Sequence, residues 1–308
     1  MPDPLGPLST GILAEAERRW DLLTAADPSL RRAVDLQRGL IGRSVQLFET
    51  IRTTGVRAWP FNLDVGRLRS KLERGVPLLR DESWTLPVGP LTDALLDFCR
   101  MLEVSGAGAS AAHISQAIDS KRLDAGSLLN ASLARADCDI RDGAIQLGLA
   151  PDLLWLTAEL AVSPYAYFLQ RSLAASLPPD VLSTWDRGDC PFCGSWPALA
   201  ERLVDRRVLR CSLCAAAWPA HSGCIYCHEH GDAFSSAAID RARPERLLET
   251  CGACGGYLKA LVSDRPLDFP LAAVEDLATG DLDAAAAARG FRRPALRKLL
   301  SAQTPRPS

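Results

Sequence analysis

The chain has 308 residues, enough for two domains that bury their own cores without covalent cross-links. Apolar residues make up 47% and charged residues 23%, as in ordinary globular proteins, and a net charge of −2 offers no basis for electrostatic capture by nucleic acid or an anionic membrane. The opening "MPDPLGPLSTGILAEAERRW" has neither a basic start nor a continuous apolar run. The most apolar stretch, 153–173, is interrupted by Glu159, Pro164 and Arg171. These features predict a cytoplasmic chain without a secretory signal or membrane insertion, whose thiols stay reduced.

Residues 1–180 carry a helical pattern. Val34, Ile41, Val45 and Phe48 recur on one face, as do Leu91, Leu95, Phe98 and Leu102. Asp27-Pro28 has the form of an N-cap followed by a first-turn proline, and Ser163-Pro164 repeats it. Pro151-Asp152 opens the segment before that one. Six to eight helices in an irregular bundle are expected.

The pattern changes after Pro178, where "LPPD" and "RGDCP" break the helical period. "PALAERLV" and "VLRC" flank the polar "DRR", and "FSSAAID" and "RLLETC" flank "RARPE", each in the manner of a hairpin. From Leu271 a helical pattern returns as "LAAVEDLATGDLDAAAAARG", read as one helix closing at Arg289-Gly290. The tail "SAQTPRPS" is expected to be disordered.

Eight of the ten cysteines form four Cys-x-x-Cys pairs: Cys190/Cys193, Cys211/Cys214, Cys224/Cys227 and Cys251/Cys254. Two intervening residues let a tight turn aim both sulfurs at one point, and two such turns supply a tetrahedral four-thiolate site for zinc or iron. The first two pairs are separated by 17 residues (194–210) and the last two by 23 (228–250), and each gap holds one hairpin pattern. The first pair is therefore joined with the second, and the third with the fourth. A cross-braced arrangement, or a small site across the nine residues between Cys214 and Cys224, would also satisfy the sulfurs. Gly194 and Gly255 follow their pairs, where positive φ is easily adopted. Ala215 and His228 stand at the matching places, so those turns are expected to be less regular. A four-thiolate shell leaves no position for substrate, which implies a structural or electron-carrying ion.

Other residues receive plainer readings. Cys99 and Cys138 are small core residues, and His113 has no partner in sequence. His221, His228 and His230 crowd the third pair and offer alternative ligands, with a solvated loop as the simpler reading. The arginines of "RLVDRRVLR" alternate with Glu201 and Asp205, which suits a solvated hairpin edge. Trp218 and Tyr257 are expected to pack over the metal turns. No nucleotide loop, nucleophile elbow or zinc-protease helix is present, and no catalytic constellation emerges.

The order "CPFCGSWPA…LRCSLCAAAW…CIYC…CGACGGYLK", followed by "VEDLATGDLDAAAAARGFRR", resembles the formate dehydrogenase accessory proteins, the FdhE family, from Cys190 to about Arg293. The resemblance implies an all-helical N-terminal domain (1–180), two rubredoxin-like or zinc-ribbon-like metal modules (186–223 and 224–270), and a C-terminal helix and tail (271–308). It implies two metal ions, iron favoured over zinc, held by Cys190, Cys193, Cys211, Cys214, Cys224, Cys227, Cys251 and Cys254. It further implies a cytoplasmic maturation factor rather than an enzyme. Its partner would be the catalytic subunit of a respiratory formate dehydrogenase, and a homodimer is compatible with the reading. The approach to the third pair, "PAHSGCIYCHEHGD", lacks the family's usual arginine and is rich in histidine, which predicts altered metal affinity there. The rival readings are a zinc-ribbon nucleic-acid-binding module, which would show a basic face, and a general chaperone of the cysteine-rich kind, whose Cys-x-x-Cys-x-Gly-x-Gly repeat is absent here. A carrier cycling its iron is the enzyme-like alternative.

Overall fold

In the computed structural model of the protein, the described residues are 8, 10–54, 64–82, 85–178, 180–204, 206–264 and 266–293. Asp205 and the tail 301–308 lie outside them. Two compact units divide the chain, one taking in 1–66 with 79–178 and the other 67–78 with 179–308.

The first unit is helical: α1 (Thr10–Ala26), α2 (Arg31–Thr53), α4 (Val88–Leu102), α5 (Gly108–Asp119), α6 (Ala125–Leu133), α7 (Asp137–Gln146) and α8 (Pro151–Ala174), with α3 (Val65–Glu73) running on into the second unit. Asp27 does cap, accepting a 3.0 Å hydrogen bond from the Ser29 amide at a short 3-10 turn that leads into α2. The predicted apolar stripes of α2 and α4 are buried at Val34, Ile41 and Phe48, and at Leu91, Leu95, Phe98 and Leu102. Helix α8 packs against α2, α4, α6 and α7. It starts at Pro151 as expected, but no second helix begins at Ser163-Pro164, because Pro164 lies inside α8. A proline there forfeits a backbone bond and costs about 3 kcal/mol. The burial of Tyr165, Ala166, Phe168 and Leu169 just beyond it more than offsets that loss and carries the helix through.

The second unit is built on one sheet. Strands β1 (Pro197–Arg202), β2 (Arg207–Cys211) and β3 (Ala217–Pro219) form an antiparallel meander, as do β4 (Phe234–Ala238), β5 (Arg246–Cys251) and β6 (Tyr257–Val262). Both predicted hairpins are present. The two meanders join through β1 and β6, which run parallel with Ala200 opposite Ala260, so six strands lie in the order β3-β2-β1-β6-β5-β4. The two modules thus share a continuous sheet.

The C-terminal pattern folds as two helices, α9 (Leu271–Ala278) and α10 (Gly280–Ala288), rather than one. The break at Thr279 follows from where α9's last carbonyls go. Lys259 Nζ takes Asp276 O at 2.7 Å, Arg246 takes Ala278 O at 2.9 Å, and the Thr279 hydroxyl takes Glu275 O at 2.7 Å. Two of these carbonyls are thus taken by the sheet and the third by Thr279 itself. Gly290 does close α10 with φ of +81°.

Within this unit, residues 67–78 pack beside the first cysteine turn. The Leu78 amide donates to Pro191 O at 2.8 Å, and the buried Lys71 ammonium donates to Leu78 O at 3.0 Å. Leu68, Leu72 and Leu78 are buried with them.

Candidate metal centres

Each Cys-x-x-Cys pair sits at a turn closed by the same backbone bond. The amide of the first cysteine donates to the carbonyl five residues on: Cys190 to Ser195, Cys211 to Ala216, Cys224 to Glu229 and Cys251 to Gly256, all at 2.8–2.9 Å. The residue after the second cysteine is left-handed in every turn: Gly194 at φ +80°, Ala215 at +53°, His228 at +61° and Gly255 at +69°. The expectation that the Ala215 and His228 turns would be less regular is therefore corrected. Side chains accept the strained conformation, at about 1–2 kcal/mol each, because the turn is needed to aim the sulfurs.

The sulfurs gather in two groups of four, Cys190, Cys193, Cys211 and Cys214, and Cys224, Cys227, Cys251 and Cys254, the atoms in each lying within 4.8 Å of one another. The first pair joins the second and the third joins the fourth. Neither the cross-braced arrangement nor an inner-pair site is formed. Closest approaches are 3.6 Å (Cys190–Cys214) and 3.4 Å (Cys193–Cys211) in the first group, and 3.6 Å (Cys224–Cys254 and Cys227–Cys251) in the second. A tetrahedral ion with sulfur arms of about 2.3 Å needs sulfurs about 3.8 Å apart, so both groups match such an ion in donor type, number and spacing.

The surroundings also suit thiolates. The amides of Leu213 and Cys214 point at Cys211 Sγ at 3.3 and 3.4 Å, and Ser195 Oγ lies 3.4 Å from Cys193 Sγ, where its hydroxyl can donate. Burial pushes the Cys190 and Cys214 thiols well above their ordinary range, and burial takes Cys254 up to about 11. Four sulfurs this close cannot all ionise alone; a bound cation is what would let them do so.

The two groups differ in cover. All four cysteines of the first are buried, while Cys227 and Cys254 of the second are exposed. Phe192 and Leu213, inside the first two turns, are buried, and Trp218 on β3 is buried with its Nε1 donating to Arg187 O at 3.2 Å. Tyr257 does something different from the expected cover. It belongs to a core with Leu248, Leu282 and Ala286 under α10, and its hydroxyl donates to Asp283 at 2.8 Å. An aromatic pair, Trp196 and Tyr226 with ring centroids 5.3 Å apart, connects the first module to the third cysteine turn.

His221, His228 and His230 are exposed, and none joins a four-sulfur group. His230 Nδ1 instead lies 2.6 Å from Ser222 O. His113 is exposed, Cys99 is buried with its thiol pushed up by burial, and Cys138 is half-buried.

Arg202, Arg207 and Arg210 depart from the reading of a solvated edge, while Arg206 is exposed as expected. Arg210 pairs with Glu201 at 2.7 Å, and Arg207 with Glu249 at 2.5 Å, all four buried or nearly so, with Arg202 reaching the same Glu249 at 3.1 Å. Glu201 also accepts the Leu267 amide at 2.7 Å. Glu249 is supplied by β5, some forty residues from Arg207, so no local pattern announces the pairing. A further buried cation, Lys259, is held by Asp276 and Asp283 at 2.7 Å each, with Arg293 bridging the same two carboxylates. The adjacent "GGYLK" and "VEDLATGDLD" motifs carry those residues, and their charge balance was the available signal.

These features define a protein of two units, one helical and one in which two four-cysteine groups are mounted on a single sheet. No family model matches the chain. It is 32% identical over 161 residues to a Protein FdhE homolog of Haemophilus ducreyi, covering 49% of this chain and 50% of that one. It is 37% identical over 118 residues to one of Erwinia tasmaniensis, 36% of each chain. The chain thus matches about half or less of the length of these curated relatives. Its fold is similar to the crystal structure of the FdhE protein from Pseudomonas aeruginosa, with a TM-score of 0.59, 24% identity, and 98% of this chain and 99% of that one covered. Relatives and fold together support the resemblance to the FdhE family read from the cysteine pairs. Among the described residues, no helix is long and apolar enough to cross a membrane.

Proposed function

We propose that this chain is a non-enzymatic accessory factor of the FdhE type, which binds the catalytic subunit of a respiratory formate dehydrogenase in the cytoplasm during its maturation. The supporting observation is the pair of four-cysteine groups, whose sulfurs lie close enough to supply a tetrahedral shell to a metal ion. Such a shell leaves no position for substrate, and the similarity to FdhE proteins supports an accessory role toward a formate dehydrogenase.

Cys190, Cys193, Cys211 and Cys214 would hold one ion and Cys224, Cys227, Cys251 and Cys254 the other, with iron the metal taken in the cell. Bound, each ion cross-links two turns and, if iron, can exchange one electron. The amides of Leu213 and Cys214 spread the negative charge of Cys211, and the left-handed residues keep each turn closed. The product is a stiff sheet on which a client-binding surface can be displayed.

The test is affinity capture of the tagged chain from its own cells under anaerobic, reducing conditions, with elemental analysis of the purified protein. Enrichment of a formate dehydrogenase catalytic subunit, together with iron at two ions per chain, is expected. Capture dominated by nucleic acid, or devoid of any such subunit, would sink the reading.

A further inference from the structure

The six-stranded sheet treats its two edges differently. On one side β3 is three residues long and ends in Pro219, which blunts it against further pairing. On the other side β4, "FSSAA", has five residues with no proline, no charge and no bulge in its register with β5. Ser235, Ala237 and Ala238 are exposed, and Phe234 and Ser236 are half-buried.

The ladder decides which backbone groups are free. Gly252 N donates to Ala233 O at 2.7 Å, so that pair is hydrogen-bonded. Antiparallel pairing alternates, which makes Ser235/Thr250 and Ala237/Leu248 the next bonded pairs. The amides and carbonyls of Phe234, Ser236 and Ala238 therefore face the open edge. The Phe234 amide turns back to Gly231 O, while those of Ser236 and Ala238 meet no backbone acceptor among the described residues.

On the Ser236 face of this edge arginines outnumber the carboxylate they meet. The Ser236 hydroxyl accepts from Arg202 at 2.9 Å, so its side chain lies on the face where Arg202 and Arg207 share the single carboxylate of Glu249. Two guanidiniums meet one carboxylate. Arg207 and Glu249 are buried, but the Arg202 side chain remains 37% exposed. A residue placed opposite Ser236 on an added strand would have its Cβ about 5 Å from that of Ser236. A carboxylate there reaches the Arg202 guanidinium.

We infer that β4 is a docking edge for an extended segment of a partner protein, which adds as a seventh strand and places an acidic side chain opposite Ser236. Backbone bonds to Ser236 and Ala238 hold the segment, and Arg202 selects for the acid. The inference concerns the chain's own edge and stands whichever protein supplies the segment, so it can fail while the proposed client holds, or the reverse.

The probe is a phage-displayed library of random heptapeptides panned on the full-length, metal-loaded protein, with enriched peptides resynthesised and their Kd measured by fluorescence anisotropy. Expected sequences carry Asp or Glu at one fixed position, flanked by β-branched residues. Ser236→Pro and Ala238→Pro remove only outward-facing amides and leave the bonded pairs to β5 in place. Each should weaken binding by about tenfold, the loss of one backbone hydrogen bond. Arg202→Gln should weaken acidic peptides by about threefold and leave Gln-substituted peptides unaffected, as a half-exposed ion pair allows. Unchanged metal content and thermal midpoint in both proline variants show that the sheet is intact. Enriched peptides without an acid, or intact proline variants that bind as tightly as the unsubstituted protein, would overturn the proposal. So would a β4-dependent dimer in sedimentation analysis, which would make a second copy the occupant.

Discussion

The first and second cysteine groups are built from the same turn, yet one is sealed and the other faces solvent at Cys227 and Cys254. Their backbone bonds, left-handed residues and sulfur spacings nearly coincide. What separates them is the neighbourhood. Residues 67–78 pack beside the first, whose turn residues Phe192 and Leu213 are buried, whereas Cys227 and Cys254 of the second stay exposed. The turn decides whether an ion fits, and the cover decides how readily it leaves or is attacked. Coordination alone would make the groups equivalent; packing makes the first a structural core and the second an accessible surface.

The largest effect should come from removing a buried ligand. A structural four-thiolate ion contributes on the order of 10 kcal/mol to folding. Cys214→Ser should therefore unfold the sheet unit or leave it aggregated, read by circular dichroism and metal content. Cys254→Ser, at an exposed position, should leave a folded protein holding one ion instead of two. If both variants behave alike, the distinction of cover is wrong.

Reagents should sharpen the same contrast. Titration with a colorimetric chelator is expected to release metal in two phases, the second group first. Cys227 and Cys254 should be the first cysteines alkylated, mapped by mass spectrometry. A single phase, or early labelling at Cys190, would contradict the geometry.

The clasp under α10 should matter next. Lys259 is fully buried between Asp276 and Asp283, so Lys259→Ala removes a buried ion-pair partner and should cost about 3 kcal/mol, read by denaturant unfolding. Burial alone would raise the Asp283 carboxyl, but hydrogen bonds from Lys259 and Tyr257 outweigh it and hold it below its ordinary range. A lowered folded-state value means a contribution that is complete above the unfolded value of about 4 and is lost as pH falls through the folded one. Stability should therefore decline in acid, and Asp283→Asn should flatten that decline.

The smallest effect belongs to the turns themselves. Ala215→Gly should stabilise by up to about 1 kcal/mol by relieving a left-handed alanine. Gly255→Ala should cost about as much, since a Cβ there meets nothing within 4 Å and only the backbone resists. Equal and opposite shifts in thermal midpoint would show that both groups rest on one turn.

The chemistry of the site was legible because it is local. Cysteines two residues apart, with hairpin patterns between pairs, specify which sulfurs meet. The helical stripes of α2 and α4 likewise announce their buried faces. Of the readings that failed, three share one reason. Pro164 looked like a helix start, 271–290 looked like one helix, and Arg207 and Arg210 looked solvated. In each case groups distant in sequence changed the outcome: burial along α8, the sheet's Lys259 and Arg246 capturing α9's carbonyls, and Glu249 meeting Arg207.

By itself the sequence determined that this protein has a helical half, a half with four thiolate turns, and two hairpins to carry them, because each is encoded within a few turns of chain. Only the tertiary structure decided that the hairpins merge into one sheet through β1 and β6, that one group is sealed and the other open, and that β4 is left as a bare edge. Those features depend on contacts between segments tens of residues apart, where periodicity and spacing carry no information and packing energy alone chooses among the arrangements.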